Sequence, residues 1–377
     1  MEPVTHALAS LSLGRAGLNR VTRFATPMLL VSGLAADLDW LSYWGGPRAF
    51  LAGHRTAGHS LVGSVAIAAS TAAVFACFAR GASHGDRQTG RVPDSKADGG
   101  VSFGTARWGG GAARFRFWRA LAVCGAGAGS HLVLDLTNSY GVKLCWPFSA
   151  RWYAWDLARP IDPWLLSLLL AAVLLPLLLG VVAREISGRA NLQGAQDGPG
   201  VMVALLLVVL YFGGLAVLHH RAWVLLNSRL YRGDTALRLA AFPGWSPLAW
   251  LGVVDLQDAY EEVVVPVYPA TAFDPEAARH LFKPAESPGI ENARRTASAQ
   301  AFLSFARFPF ATEAETSRGY EIQIIDLRFD LRSAGPAGTR DAADWGEVVA
   351  VIELNPQWEV TGDALRFAAT TTSWPAR

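Results

Sequence analysis

The chain has 377 residues, 51% hydrophobic and 17% charged, with a formal net charge of +2. Soluble domains carry about 25% charge, so this composition, with a mean hydropathy of +0.25, argues against a wholly soluble protein. The near-neutral charge and the lack of a basic stripe argue against a nucleic-acid partner. Three cysteines, Cys77, Cys124 and Cys145, with no CxxC, give neither a disulfide framework nor a thiolate zinc site.

The N-terminal "MEPVTHALASLSLGRAG" has an acidic residue at position 2 and no basic n-region, so it does not read as a signal peptide. Residues 3–18 form a short apolar element, half-buried or spanning. A transmembrane helix needs about 20 mostly apolar residues, and five segments meet or approach this: 24–45, 59–79, 118–139, 163–183 and 200–220. The fourth and fifth are uninterrupted, whereas the first and third contain Asp and His. Residues 80–117, rich in Gly, Ser and Arg, read as a flexible basic loop, and His84 within it as a solvated residue. The positive-inside rule places this loop in the cytoplasm. Loop 140–162 and everything after 220 then lie outside, and loop 184–199 inside. His219 and His220 close the fifth span as interfacial residues.

From about residue 222 the charges return. Segments 248–256, 261–268, 320–332 and 346–354 are β-branched runs with partial alternation. Asp274 and Pro275 suit a helix start for 274–283, and 290–307 has helical spacing. The expected architecture is an all-α polytopic membrane domain of five to six helices over residues 1–225. A small extracytoplasmic α+β domain around an antiparallel sheet follows over 226–377.

Ionisable residues in or beside spans are costly and mark functional sites. Here they are His6, Asp37, Asp39, His54, His59, His131 and Asp135, with Asp156 and Asp162 in the next outer loop. His131 and Asp135 are four apart, and Asn138 follows on the same helix face. By the lysine and arginine topology these groups fall on one side of the membrane, His6 included if the first helix starts outside. Asp37 and Asp39, two apart, diverge on an α-helix and share a site only in a helix end or an unwound turn. In "GHRTAGHS", His54 and His59 read as a loop pair, with His59 and Ser60 opening the next helix.

Imidazoles and carboxylates without thiolates suit Zn²⁺, Mn²⁺ or Fe, as one ion or two, and two-metal centres often hydrolyse phosphate esters. The candidate ligands are His6, Asp37, Asp39, His54, His59, His131, Asp135 and Asp162. Arg55, Asp39 and Asp156 are the candidate catalytic groups, with Arg55 a clamp for an anionic substrate or a contact to lipid headgroups. The expected partners are the membrane lipid and a lipid or phosphoester substrate, with no obligate protein partner. A transporter using the same cluster, and an inert anchor for the C-terminal domain, are the alternatives.

The ordered segments "PVTHALASLSLG", "GLAADLDWLSYW", "HRTAGHSL" and "SHLVLDLTNSYGVKLCWPFSARWYAWDLARPIDP" resemble the inner-membrane-associated, metal-dependent hydrolase family described as LexA-regulated membrane hydrolases. The resemblance covers roughly residues 1–225. It implies a bacterial inner-membrane hydrolase with a divalent metal, and it points to His6, Asp37, Asp39, His54, His59, His131, Asp135, Asp156 and Asp162. A looser likeness links the His-x-x-x-Asp element to the all-helical zinc-dependent phospholipase C and P1-type nucleases, without their further His-x-x-x-Glu pair.

Overall fold

The structure, a computed structural model, describes residues 1–89, 115–187, 199–270, 273–329 and 348–367. Most of the expected basic loop (90–114), the core of loop 184–199 (188–198) and the end of the run 320–332 lie outside the described residues.

The helical part is built from α1 (Pro3–Arg15), α2 (Ala25–Leu34), α3 (Pro47–Gly53), α4 (Leu61–Thr89), α5 (Phe117–Leu136), α6 (Pro163–Ser187) and α7 (Pro199–Asn227). Proline opens α1 and α3 at the first turn, where its missing N–H costs nothing. Among the described residues, Leu61–Arg80, Phe117–Leu136 and Pro199–Asn227 are long and apolar enough to cross a membrane, and Pro163–Pro176 is a shorter apolar stretch. Segment 24–45, expected as one span, is not a continuous α-helix. It stops at Leu34 and continues as a 3₁₀ segment, Ala35–Gly45. Helix α4 runs to Thr89, into the region expected to be loop.

Small residues let three of these helices touch closely. A Cβ on Gly33 would meet Ser10 Oγ at 2.2 Å, and one on Gly127 would meet Ser32 Oγ at 2.3 Å and the Leu29 carbonyl at 2.8 Å. Close approach through Gly, Ala and Ser is how helices pack where lipid replaces water. Helices α2, α4 and α5 also meet through Ala25, Met28, Leu29, Ala72, Val123 and Cys124, an apolar cluster.

The C-terminal part holds two four-stranded antiparallel sheets, where one was expected. The first joins β1 (Arg238–Pro243), β2 (Ala249–Asp255), β3 (Ala259–Pro266) and β4 (Arg279–Phe282) in that order, and the second joins β5 (Pro309–Thr316), β6 (Gly319–Asp326), β7 (Val348–Leu354) and β8 (Val360–Phe367). Phe242, Leu251, Val253, Phe308, Ile325 and Leu327 pack between them. Segment 274–283 is not a helix. Asp274 caps a single 3₁₀ turn, accepting from the Glu276 N–H, and the chain then pairs with β3 as β4 because the sheet edge offers more hydrogen bonds than a short isolated helix. Residues 290–307 form two short helices, α8 (Pro288–Arg294) and α9 (Ala297–Leu303), separated by the Thr296 cap.

The sheets rest on the helical part. Leu226 of α7 lies under Gly252, His219 lies against Trp250 with ring centroids 5.3 Å apart, and Phe50 and Leu51 of α3 join the core of the second sheet. Thus β1–β8 cover the end of the bundle where α1 and α4 begin and α2 and α5 end.

Candidate metal centre

The 3₁₀ segment Ala35–Gly45 is eleven residues long, whereas such runs rarely exceed four. Its winding solves a spacing problem. In an α-helix residues two apart point about 160° away from each other; at three residues per turn the angle falls to about 120°. Asp37 and Asp39 therefore both turn towards the bundle, each about nine-tenths buried.

They meet side chains from three other elements. His6 comes from the second turn of α1, and His131 and Asp135 from the last turns of α5. His54, Arg55 and His59 come from the loop between α3 and α4. Arg55 sits there at φ 54°, and Ser60 caps α4 by accepting from the Gly63 N–H at 2.9 Å. Helix α4 starts at Leu61, so His59 lies before the helix rather than inside it.

A hydrogen bond fixes how one imidazole faces, and a close carboxylate contact fixes a second. His131 Nδ1 lies 2.8 Å from the Gly33 carbonyl oxygen, which can only accept, so Nδ1 carries the proton and Nε2 keeps its lone pair. His59 Nδ1 faces Asp39 Oδ2 at 3.1 Å, which turns its Nε2 the same way. The two Nε2 atoms are 3.0 Å apart. Around them stand Asp135 Oδ2, 3.0 Å from His59 and 3.4 Å from His131, and Asp37 Oδ1, 3.8 Å and 3.7 Å away. His6 stacks on His131 with centroids 3.7 Å apart, and its Nε2 is 3.4 Å from Asp135 Oδ1.

This donor set fits a cation. Ligand atoms about 2.1 Å from a tetrahedral metal lie about 3.4 Å from one another, close to the spacings here. One nitrogen or oxygen each from His6, Asp37, His131 and Asp135 lies within 4.8 Å of the others. Among the described residues neither ring nitrogen of His6 has a hydrogen-bond partner, nor does Asp37 Oδ2, although all three are buried. Buried polar groups are ordinarily hydrogen-bonded, so these orphans point to a bound ligand or a functional role.

Residues 35–60 lie beyond the ends of the candidate spans. There, burial opposes ionisation of Asp39, but hydrogen bonds from His54 and His59 outweigh it and hold the carboxyl well below the usual range. Burial likewise opposes charge on His59, yet hydrogen bonds to Asp135, Asp37 and Asp39 push it up to about 10. Three carboxylates around His59, those of Asp37, Asp39 and Asp135, favour positive charge at this point, which a proton or a metal ion can supply.

Asp39 and His54 stand one layer out. His54 Nδ1 donates to Asp39 Oδ1 at 2.9 Å and its ring stacks on Phe50, while the Arg55 N–H donates to Asp39 Oδ2 at 2.6 Å. A carboxylate that orients a ligating histidine is a common outer-layer device in metal sites. The Arg55 guanidinium lies inside the cluster. Its Nη2 is 3.3 Å from Asp135 Oδ1, its Nη1 donates to Asn138 Oδ1 at 2.9 Å, and it packs over the Tyr140 ring at 5.0 Å. The chain's amino group also lies against Asp135 Oδ1.

The remaining two candidates lie apart from this cluster. Asp156, at φ 55°, accepts two bonds from Arg307 Nη1, at 2.8 and 2.9 Å, and so ties the loop between α5 and α6 to the C-terminal sheets. Asp162 caps α6, accepting from the N–H groups of Trp164 and Leu165 at 3.0 and 2.9 Å, and also accepts from the Tyr211 hydroxyl. Sequence reasoning missed the Gly33 carbonyl and Tyr140. The run of small residues around Gly33 and Gly127 was the available signal for the first, while nothing in the sequence singled out the second.

A family model described as YdjM inner membrane protein matches residues 1–222, which holds every member of the cluster. No curated protein and no solved structure matches the chain. With more than half of its length matched, the chain belongs to the YdjM inner membrane protein family.

Proposed function

We propose that the chain is a membrane-bound, metal-dependent hydrolase of phosphoesters. The observation that carries this reading is the convergence of His59 Nε2 and His131 Nε2 with carboxylate oxygens of Asp37 and Asp135. These four residues, with His6 in reach, would hold one or two divalent ions. Zn²⁺ suits them best, and Mn²⁺ or Fe takes the same donors. A bound ion would polarise a phosphoryl oxygen and make water a better nucleophile at neutral pH.

The chain's own groups have separable tasks. Asp39 and the Gly33 carbonyl fix the rings of His59 and His131. Arg55 offsets the carboxylate charge, and its Nε, which has no hydrogen-bond partner among the described residues, is a donor for an anionic phosphoryl group. The cluster sits at one end of the helices above an apolar layer, which favours a site over a conduction path needing polar groups along its length. The lysine and arginine distribution puts that end, and the sheets, outside the inner membrane.

The test is hydrolysis of bis(p-nitrophenyl) phosphate by the detergent-purified full chain. Turnover that a chelator abolishes and Zn²⁺ or Mn²⁺ restores is the expected result. Turnover indifferent to chelator, or none with any of these metals, contradicts the reading.

A further inference from the structure

At three residues per turn, side chains three apart on a 3₁₀ helix eclipse one another, so Ala35–Gly45 has three straight faces. Asp39 and Ser42 share one, with Ser42 Oγ donating to the Asp39 carbonyl at 2.6 Å. Asp37, Trp40 and Tyr43 share the second, where Trp40 packs on Phe50 and Tyr43 on Phe367. The third face carries Leu38, Leu41 and Trp44, which are 64%, 55% and 83% exposed. The rod that brings two carboxylates to the centre thus turns a continuous apolar stripe outwards.

The surroundings say what covers that stripe. It extends from α2 at the end of the bundle where α5 stops, and Phe148, Trp155 and Trp164 are exposed at the same end. Exposed tryptophans at helix ends mark the boundary between hydrocarbon and water. Arg328 Nη1 donates to the Ser139 carbonyl at 2.9 Å, and the Tyr140 ring packs on Phe305 with centroids 4.8 Å apart, so the sheets close the centre from above. Asp37 and Asp39, both on the rod, keep more exposure than the fully buried His59 and Asp135. The least covered carboxylates of the centre are therefore the two on the rod that carries the apolar stripe.

We propose that the Leu38–Leu41–Trp44 stripe lies in one leaflet of the bilayer, and that the substrate reaching Asp37 and Asp39 is a phosphoester carried on a membrane lipid. The substrate half rests on the hydrolase reading above. Hydrolysis of such an ester adds water across a P–O bond: the water oxygen bonds to phosphorus, the bond to the alcohol breaks, and one water proton ends on that alcohol.

Two measurements on the full chain test this. The first places a nitroxide on Trp44→Cys, in a Cys77→Ser/Cys145→Ser background, in phosphatidylcholine–phosphatidylglycerol vesicles, with Arg295→Cys, at the C-cap of α8, as the aqueous reference. Collisions with oxygen should exceed those with a water-soluble nickel chelate at position 44, and the reverse should hold at 295. Nickel dominance at 44, or shielding from both, as a covering protein would give, overturns the placement. The second compares the wild type with Leu38→Ser/Leu41→Ser/Trp44→Ser on vesicle-borne phosphatidyl-p-nitrophenol and on soluble bis(p-nitrophenyl) phosphate. Loss of three apolar anchors should slow the vesicle ester roughly tenfold or more and leave the soluble ester unchanged. Equal loss on both, or loss on neither, overturns lipid delivery. A wild type that turns over neither ester refutes the hydrolase reading and the substrate half with it, while the nitroxide result still decides where the stripe lies.

Discussion

Replacing Gly127 by Ala tests how helix packing sets the metal centre. The added Cβ would lie 2.8 Å from the Leu29 carbonyl oxygen and 2.3 Å from Ser32 Oγ. Ser32 Oγ can rotate away only by giving up its bond to the Met28 carbonyl, and the Leu29 carbonyl is main chain. Helices α2 and α5 must then separate by about 0.6 Å to restore ordinary contact, an overpacking that costs roughly 1–3 kcal/mol. Gly33 travels with α2, so its carbonyl, now 2.8 Å from His131 Nδ1, moves out of good hydrogen-bond range. Losing the group that fixes a ligand's tautomer lowers metal affinity roughly 10–100-fold. Gly125 and Gly129 on the same helix are the controls, because a Cβ at either meets nothing within 4 Å. Thermal unfolding in detergent and a Zn²⁺ titration should show Gly127→Ala weakened in both and the two controls unchanged or slightly stabilised. Equal behaviour of all three variants would refute the packing argument.

Asp39→Asn should keep the fold but lower metal affinity by roughly 10–100-fold in the same titration, because an amide has one accepting oxygen where the carboxylate offers Oδ1 to His54 and Oδ2 to the Arg55 N–H, and it lacks the charge that faces His59. Asp156→Asn tolerates the left-handed backbone equally well and so removes only the charge facing Arg307. Faster hydrogen exchange over residues 139–158 with unchanged metal content is expected. Asp162→Ala should cost about 1 kcal/mol for the α6 cap and more for the unpaired Tyr211 hydroxyl, again with metal content unchanged. Metal loss in either of the last two variants would bring those residues into the centre and contradict their placement.

The sequence made some of this legible because helical spacing is rigid. His131 and Asp135, four apart in an apolar run, could be assigned to one face without coordinates, and the structure joins them at one centre. Asp37 and Asp39 were harder, since helical spacing separates them and only an unusually long 3₁₀ segment brings both inwards. Asp156 and Asp162 look like the other carboxylates in sequence. Their roles depend on Arg307 and Tyr211, 151 and 49 residues away, which local pattern cannot reveal. The carbonyl of Gly33 is invisible to any reading of side-chain types. In the C-terminal part alternation marked β2, β3, β6 and β7, the well-buried central strands, whereas the edge strand β4 followed an Asp-Pro pair that reads locally as a helix start.

The central claim is that His59, His131, Asp37 and Asp135 form a metal centre, and metal analysis of the detergent-purified full chain tests it most directly. The account predicts about one or two equivalents of a divalent transition metal per chain, reduced to trace levels in folded His131→Ala and Asp135→Ala variants and retained in Asp162→Ala. A wild type carrying no more metal than those two variants, after growth and purification with Zn²⁺ and Mn²⁺ supplied, would contradict it.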